Sequence, residues 1–228
     1  MIYLDNNATT QVPPAVLEAM APYYTERYGN PHAIHSLGRQ AHEAVELARA
    51  EVAMLVGCDA PELVFTSCGT EGNAIVIRGL LDAAPERRKI VATAVEHPSV
   101  LSLLRALADL GHITLEIVPV DREGALDLDR LRAAVDSNTL LVCVMLAQNE
   151  IGVIYPVAEA GRIAHGAGAL MLVDAVQAAG KIGVSHRELD ADFLTISGHK
   201  FHAPKGVGAL AIRRGLRLRP LWYGGGQE

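Results

Sequence analysis

Seven short apolar runs separated by amphipathic stretches constrain this chain more than any other feature. The runs are ELVFTS (62–67), KIVATAV (89–95), TLEIVPV (114–120), LLVCVML (140–146), LMLVDA (170–175), FLTIS (193–197) and GALAI (208–212). Their length and their β-branched content predict strands buried on both faces. Between several of them the apolar residues recur at helical spacing. Ala44, Val45, Ala48, Val52, Leu55 and Val56 are predicted to share one helix face, and so are Val100, Leu103, Leu104, Leu107 and Leu110. Pro98 stands where the first turn of a helix tolerates proline. The alternation predicts an α/β fold with a mostly parallel seven-stranded sheet and helices on both faces. In that architecture ligands gather outside the carboxyl ends of the strands. Residues 1–40 differ. They are turn-rich and weakly periodic, and either wrap the main domain or belong partly to another.

Composition narrows the functional classes. Of the 228 residues, 50% are hydrophobic and 20% charged, as in a compact folded domain rather than a disordered chain. The net charge of −6, with both signs interspersed, offers no basic stripe for a nucleic-acid partner. No apolar run is long enough to span a bilayer, and the N-terminus has no signal-peptide pattern. Three cysteines, Cys58, Cys68 and Cys143, are too few and too scattered for a disulfide framework and point to a reducing, cytoplasmic setting.

Polar residues stand at the predicted strand ends. Gly69 and Thr70 open a helix after the first run, a place that suits a phosphate or is an ordinary helix cap. His97 follows the second run as an acid–base group, a partner stacked on a planar ring, or a loop residue. Asn149 offers an amide after the fourth run, although Asn and Gly also mark loops. Asp174 closes the fifth run, where a buried carboxylate needs a cation or several donors. Gln177 follows it, and Ser197, His199 and Lys200 end the sixth. A phosphate cup, a ring-stacker, a partner for a protonated pyridine nitrogen, amides for a phenolic oxygen and an amine together fit pyridoxal phosphate, with Lys200 as its Schiff-base lysine. The paired histidines in HAIH (32–35) and HKFH (199–202) lack the further ligands that a metal site needs. Lys205 and the basic stretch RRGLRLR (213–219) read as a solvated face or part of a subunit contact.

The segments YLDNNATT (3–10), FTSCGTEGN (65–73), VEHPSVL (95–101), VDAVQAAGK (173–181), SGHKFHAPKGVG (197–208) and GGGQE (224–228) resemble cysteine desulfurases. These are pyridoxal-phosphate enzymes of the class V aminotransferase group, and the nitrogen-fixation type is the most similar. Six ordered motifs in one register make the likeness specific. It implies the large domain of a pyridoxal-phosphate transferase over residues 16–228, with residues 1–15 associated with a smaller domain. Lys200 would bind the cofactor and move protons at the substrate Cα. His97 would stack on the ring, Asp174 would pair with its nitrogen, and Gln177 and Asn149 would address the phenolic oxygen. Gly69, Thr70, Ser197 and His199 would bind the phosphate.

The reaction implied takes sulfur from L-cysteine, leaves L-alanine, and passes a persulfide to a sulfur acceptor or iron–sulfur scaffold protein. A cytoplasmic homodimer is expected. Family members run well beyond 228 residues. The resemblance therefore places the persulfide cysteine, the arginine for the substrate carboxylate and most of the smaller C-terminal domain outside this sequence. None of the three cysteines matches the catalytic one by context, and all three read as small apolar residues. The QNEIG stretch (148–152) departs from the usual Asn-Asn-Glu-Thr-Gly. Another enzyme of the group, such as a selenocysteine lyase or a small-substrate aminotransferase, and a non-catalytic cofactor-binding remnant are the alternatives.

Overall fold

The structure, a computed structural model, describes residues 2–226; Gln227 and Glu228 of the GGGQE motif lie outside the described residues. All seven apolar runs contain strands: β1 Leu63–Thr66, β2 Lys89–Thr93, β3 Thr114–Val118, β4 Thr139–Cys143, β5 Leu170–Asp174, β6 Phe193–Ser197 and β7 Gly208–Ile212. They form one sheet in the order β1-β7-β6-β5-β4-β2-β3. Among them β7 alone runs against the rest, pairing antiparallel with both β1 and β6. The remaining ladders are parallel. Helices α4 Gly69–Ala83 and α5 Pro98–Asp109 cover one face with Val76, Ile77, Leu80, Leu104 and Leu107. Helices α3 Ser36–Val56, α6 Leu128–Ala134 and α7 Val157–Gly166 cover the other with Val56, Leu131, Ala160 and Ala164. Successive strand residues serve opposite faces, as Leu141 and Val142 or Phe193 and Leu194 do. Burying such side chains is worth roughly 1.5–3 kcal/mol each.

Two helix faces are corrected by the structure. On α3 the buried positions are Gly38, Ala41, Ala53 and Val56, whereas Ala48 and Leu55 are exposed. The inward stripe runs through Arg49, whose Nη1 donates to the Leu63 carbonyl at 2.8 Å and whose guanidinium lies over the Phe65 ring. An apolar pattern cannot register a face that contains an arginine. On α5 Leu101 is buried and Leu110 is exposed, because Leu110 is already the C-cap. β6 and β7 match their apolar runs, whereas β1 to β5 end before theirs do. After β4, Met145 donates its N–H to the Glu96 carboxylate at 2.7 Å. Toward β5 the chain stays paired, Val144 and Leu146 donating to the Leu172 and Asp174 carbonyls at 3.1 and 2.9 Å, so β4 leaves the ladder only on its β2 side.

Residues ahead of α3 fold as two short helices, α1 Pro14–Met20 and α2 Pro22–Thr25, neither of which buries a residue. Before them, Thr10 donates its N–H to the His199 carbonyl at 2.8 Å, which anchors the N-terminal segment across the carboxyl edge of the sheet. No helix among the described residues is long and apolar enough to cross a membrane.

Candidate active site

The chain reverses its path across the sheet between β2 and β4, where β2 pairs outward with β3 and inward with β4. A cavity of about 490 Å³ opens at the carboxyl ends of the strands beside that point. It is lined by all nine residues singled out in the sequence: Gly69, Thr70, His97, Asn149, Asp174, Gln177, Ser197, His199 and Lys200. Asp5, Asn7, Ala8, Cys68 and Ser99 also line it.

One wall is the start of α4. Its N-cap, Cys68, makes no side-chain cap bond, so exposed N–H groups of the first turn face the cavity mouth. The reading of Gly69-Thr70 as an ordinary side-chain cap is therefore not what the helix uses. A Cβ on Gly69 would stand 2.6 Å from Val176 Cγ2, so glycine lets the helix end approach the loop after β5. Beside it Ser197 is buried, and its Oγ has no hydrogen-bond partner among the described residues. A buried hydroxyl is costly to leave unpaired, and here it is available to a ligand oxygen.

The floor is Asp174. Its Oδ2 accepts from Asn73 Nδ2 at 2.9 Å and its Oδ1 from the Val176 N–H at 3.0 Å. Burial raises its pKa, and the Asn73 and Val176 bonds with the charges of His97 and Lys200 offset part of that. A carboxylate in this state gains from a cationic partner. Asn73 is itself oriented, accepting from Thr195 Oγ1 at 2.8 Å and donating to Ser99 Oγ at 3.0 Å. Ser99 Oγ lies 2.8 Å from His97 Nδ1, so one chain of hydrogen bonds joins His97 to Asp174. His97 also caps α5, accepting from the Ser99 N–H.

Lys200 ends a 3-10 turn, Gly198–Lys200, directly after β6. Its Nζ donates to the carbonyls of Asn7 at 2.5 Å and Ala8 at 3.0 Å. Burial lowers its pKa, with Asp174 and Asp5 opposing. An amine so placed sheds its proton more readily than a surface lysine. Burial also lowers His199, helped by the charges of Lys200 and Lys205, and its Nδ1 meets Thr9 Oγ1 at 3.1 Å.

The family model for aminotransferase class-V matches residues 2–228.

The chain belongs to the class-V aminotransferase family.

It is 52% identical over 228 residues to a cysteine desulfurase of Nostoc sp. (strain PCC 7120), covering 100% of this chain and 57% of that protein. A solved NifS-like protein superposes with a TM-score of 0.96 at 42% identity, over 99% of this chain and 62% of that one. A structure described as SspA in complex with cysteine superposes with a TM-score of 0.94 at 31% identity, over 100% and 66%. This chain thus spans little more than half the length of the curated relative.

Within this class-V framework, several polar residues in or beside the site escaped sequence reasoning, among them Asn73, Asn7 and Lys181. Asn73 falls on the inward stripe of α4, one turn after Gly69, where a polar residue among Val76, Ile77 and Leu80 was the available signal. Asn7 and Lys181 were legible only as part of a turn-rich segment and as the end of a motif. Of the cysteines, Cys143 is fully buried with its thiol pushed up by burial, and Cys58 is pushed to about 11 by the same cause. Cys68 differs from them, being half-buried on the cavity wall.

Proposed function

We propose that residues 16–228 are the pyridoxal-phosphate-binding large domain of a cysteine desulfurase of the nitrogen-fixation type. Residues 1–15 would associate with a smaller domain, and of these Asn7, Ala8 and Thr10 lie across the site, bonded to Lys200 and His199. The observation that carries this reading is the convergence of three unlike groups on one cavity. These are an amine of lowered pKa, a buried carboxylate of raised pKa, and a buried serine hydroxyl without a partner among the described residues. The residues fit the cofactor. The uncapped start of α4, Ser197 and His199 would hold its phosphate, Asp174 its ring nitrogen, Gln177 and Asn149 the phenolic oxygen, and Lys200 its aldehyde carbon. When bound, pyridoxal phosphate supplies an electrophilic carbon and a protonated ring that accepts electrons from the substrate Cα.

The chain's own work is positioning and proton transfer. Lys200, drawn down in pKa, takes a proton from the substrate Cα and returns it there. Burial raises the Asp174 pKa, so a cation facing it would favour its ionised form, in which it would hold a ring proton in place. The bonds from Ser99 and Asn73 fix the His97 ring and the Asp174 carboxylate relative to one another. L-cysteine as substrate, a sulfur-acceptor or iron–sulfur scaffold protein as recipient, a homodimer and the cytoplasm complete the proposal. In support, relatives are named cysteine desulfurases, and one solved neighbour is described as bound to cysteine.

The test is direct. Incubated with pyridoxal phosphate, the protein is expected to gain a visible absorption band that borohydride bleaches, and Lys200→Ala to lose the reducible linkage. A label mapped by mass spectrometry to Lys181 or Lys205 would overturn the assignment.

A further inference from the structure

Lys181 is a cation of this site that the proposed function leaves without a task. It follows β5 in a run of tight turns, in which Ala179 donates its N–H to the Ala175 carbonyl and Ile182 donates to Ala178, both at 3.0 Å. These turns bring Gln177 and Lys181, four residues apart, into contact. Gly180 within the turn has φ 74°, and a Cβ there would stand 2.6 Å from Phe201 Cβ. The missing side chain lets this turn press against the residue that follows Lys200. The Lys181 ammonium then donates to Gln177 Oε1 at 2.6 Å and to Asn7 Oδ1 at 3.1 Å.

Both acceptors are the oxygen ends of primary amides, and an ammonium group only donates. Each amide is thereby turned one way. Gln177 presents Nε2 to the Asn7 carbonyl at 2.9 Å, and Asn7 presents Nδ2 to the Asn149 carbonyl at 3.3 Å. The same Asn7 carbonyl receives Lys200 Nζ. One ammonium thus sets the polarity of two amides and tethers the segment that holds Lys200. Lys181 is solvent-exposed as a whole, yet partial burial and the nearby charge of Lys200 both lower its pKa.

We propose that Lys181 is a positioning residue that keeps the amide nitrogens of Gln177 and Asn7 turned into the site, so that Gln177 meets the phenolic oxygen of pyridoxal phosphate as a donor. The proposal rests on the pyridoxal-phosphate reading given above. With its amide reversed, Gln177 would oppose one oxygen lone pair to another, which repels an anionic oxygen and weakens the hold on the cofactor.

Lys181→Met keeps the length of the side chain and removes the donors and charge, whereas Lys181→Arg keeps both. The readouts are the dissociation constant for pyridoxal phosphate and the pH midpoint of the bound cofactor's visible band, with the unsubstituted protein alongside. Removing a positive charge and a donor to the phenolic oxygen favours retention of the proton at the Lys200 linkage. Lys181→Met is expected to bind roughly tenfold more weakly, with a midpoint raised by about one unit, and Lys181→Arg to recover most of both. No change in Lys181→Met, or an equal loss in the two variants, overturns the proposal. A parent protein that develops no band would instead overturn the cofactor reading itself.

Discussion

Asp174 is a carboxylate taken out of water with two donors, fewer than an ionised carboxylate can use. Desolvation dominates its pKa, which is raised in spite of those bonds. A side chain in that condition is destabilised until a cation arrives, and a protonated pyridine nitrogen has the right charge and a single N–H. Asp174→Asn keeps the shape and removes the charge. It is expected to weaken binding of pyridoxal phosphate by about 2 kcal/mol, roughly thirtyfold, the low end for truncating one side of a buried charge pair. Equilibrium dialysis measures this. An affinity equal to that of the parent would remove the charge from the account and leave Asp174 as a structural acceptor for Asn73. Asn73 explains why such a residue is hard to read from sequence. Its bonds go to Asp174, Ser99 and Thr195, on three different elements, and no local spacing encodes that meeting.

The start of α4 works only because it comes close to the loop after β5. Gly69 permits that approach, and the atom it would strike is Val176 Cγ2, on a β-branched side chain that is stiff at χ1. Gly69→Ala is expected to displace the helix end, cost about 1–3 kcal/mol in stability and weaken cofactor binding. Adding Val176→Ala removes the methyl group in the way and is expected to restore both, with thermal melting and cofactor titration as the measurements. Equal losses in the single and double variants would mean that the close approach is not what matters. Elements such as these were legible where one physical rule decided them. The strands were, because a run buried on both faces needs no phase. So were Gly69 and Pro98, which mark helix starts by backbone chemistry. The face of α3 was not, since its inward stripe includes Arg49, and neither were the exact strand ends. There, main-chain groups leave the ladder for side chains such as Glu96.

For the whole molecule, the consequence of building a site at one edge of a packed sheet is a buried acid that stays protonated. Glu96 accepts from Thr93 Oγ1 at 2.6 Å and from the Met145 N–H at 2.7 Å, tying the end of β2 to the end of β4 beneath His97. Burial raises its pKa from 4.5 to about 8, and the nearby charge of Asp174 adds to the rise. Below 4.5 both folded and unfolded chains hold this proton, and its burial costs nothing extra. Between 4.5 and about 8 the unfolded chain releases the proton while the folded chain keeps it. Stability therefore falls with rising pH across that window and levels off above it, by on the order of a few kcal/mol in total. Cys143, also raised by burial, extends the fall at more alkaline pH. Glu96→Gln keeps an acceptor for Thr93 and Met145 but has no proton to lose. Other titrating groups are common to both proteins and cancel in the difference between them. Urea unfolding of the cofactor-free protein at pH 5, 6, 7 and 8 is then expected to show the Glu96→Gln variant gaining on the parent at each step. Parallel curves over that range would mean that Glu96 is ionised in the folded state, and that the link between β2 and β4 is held by a charge rather than by a retained proton.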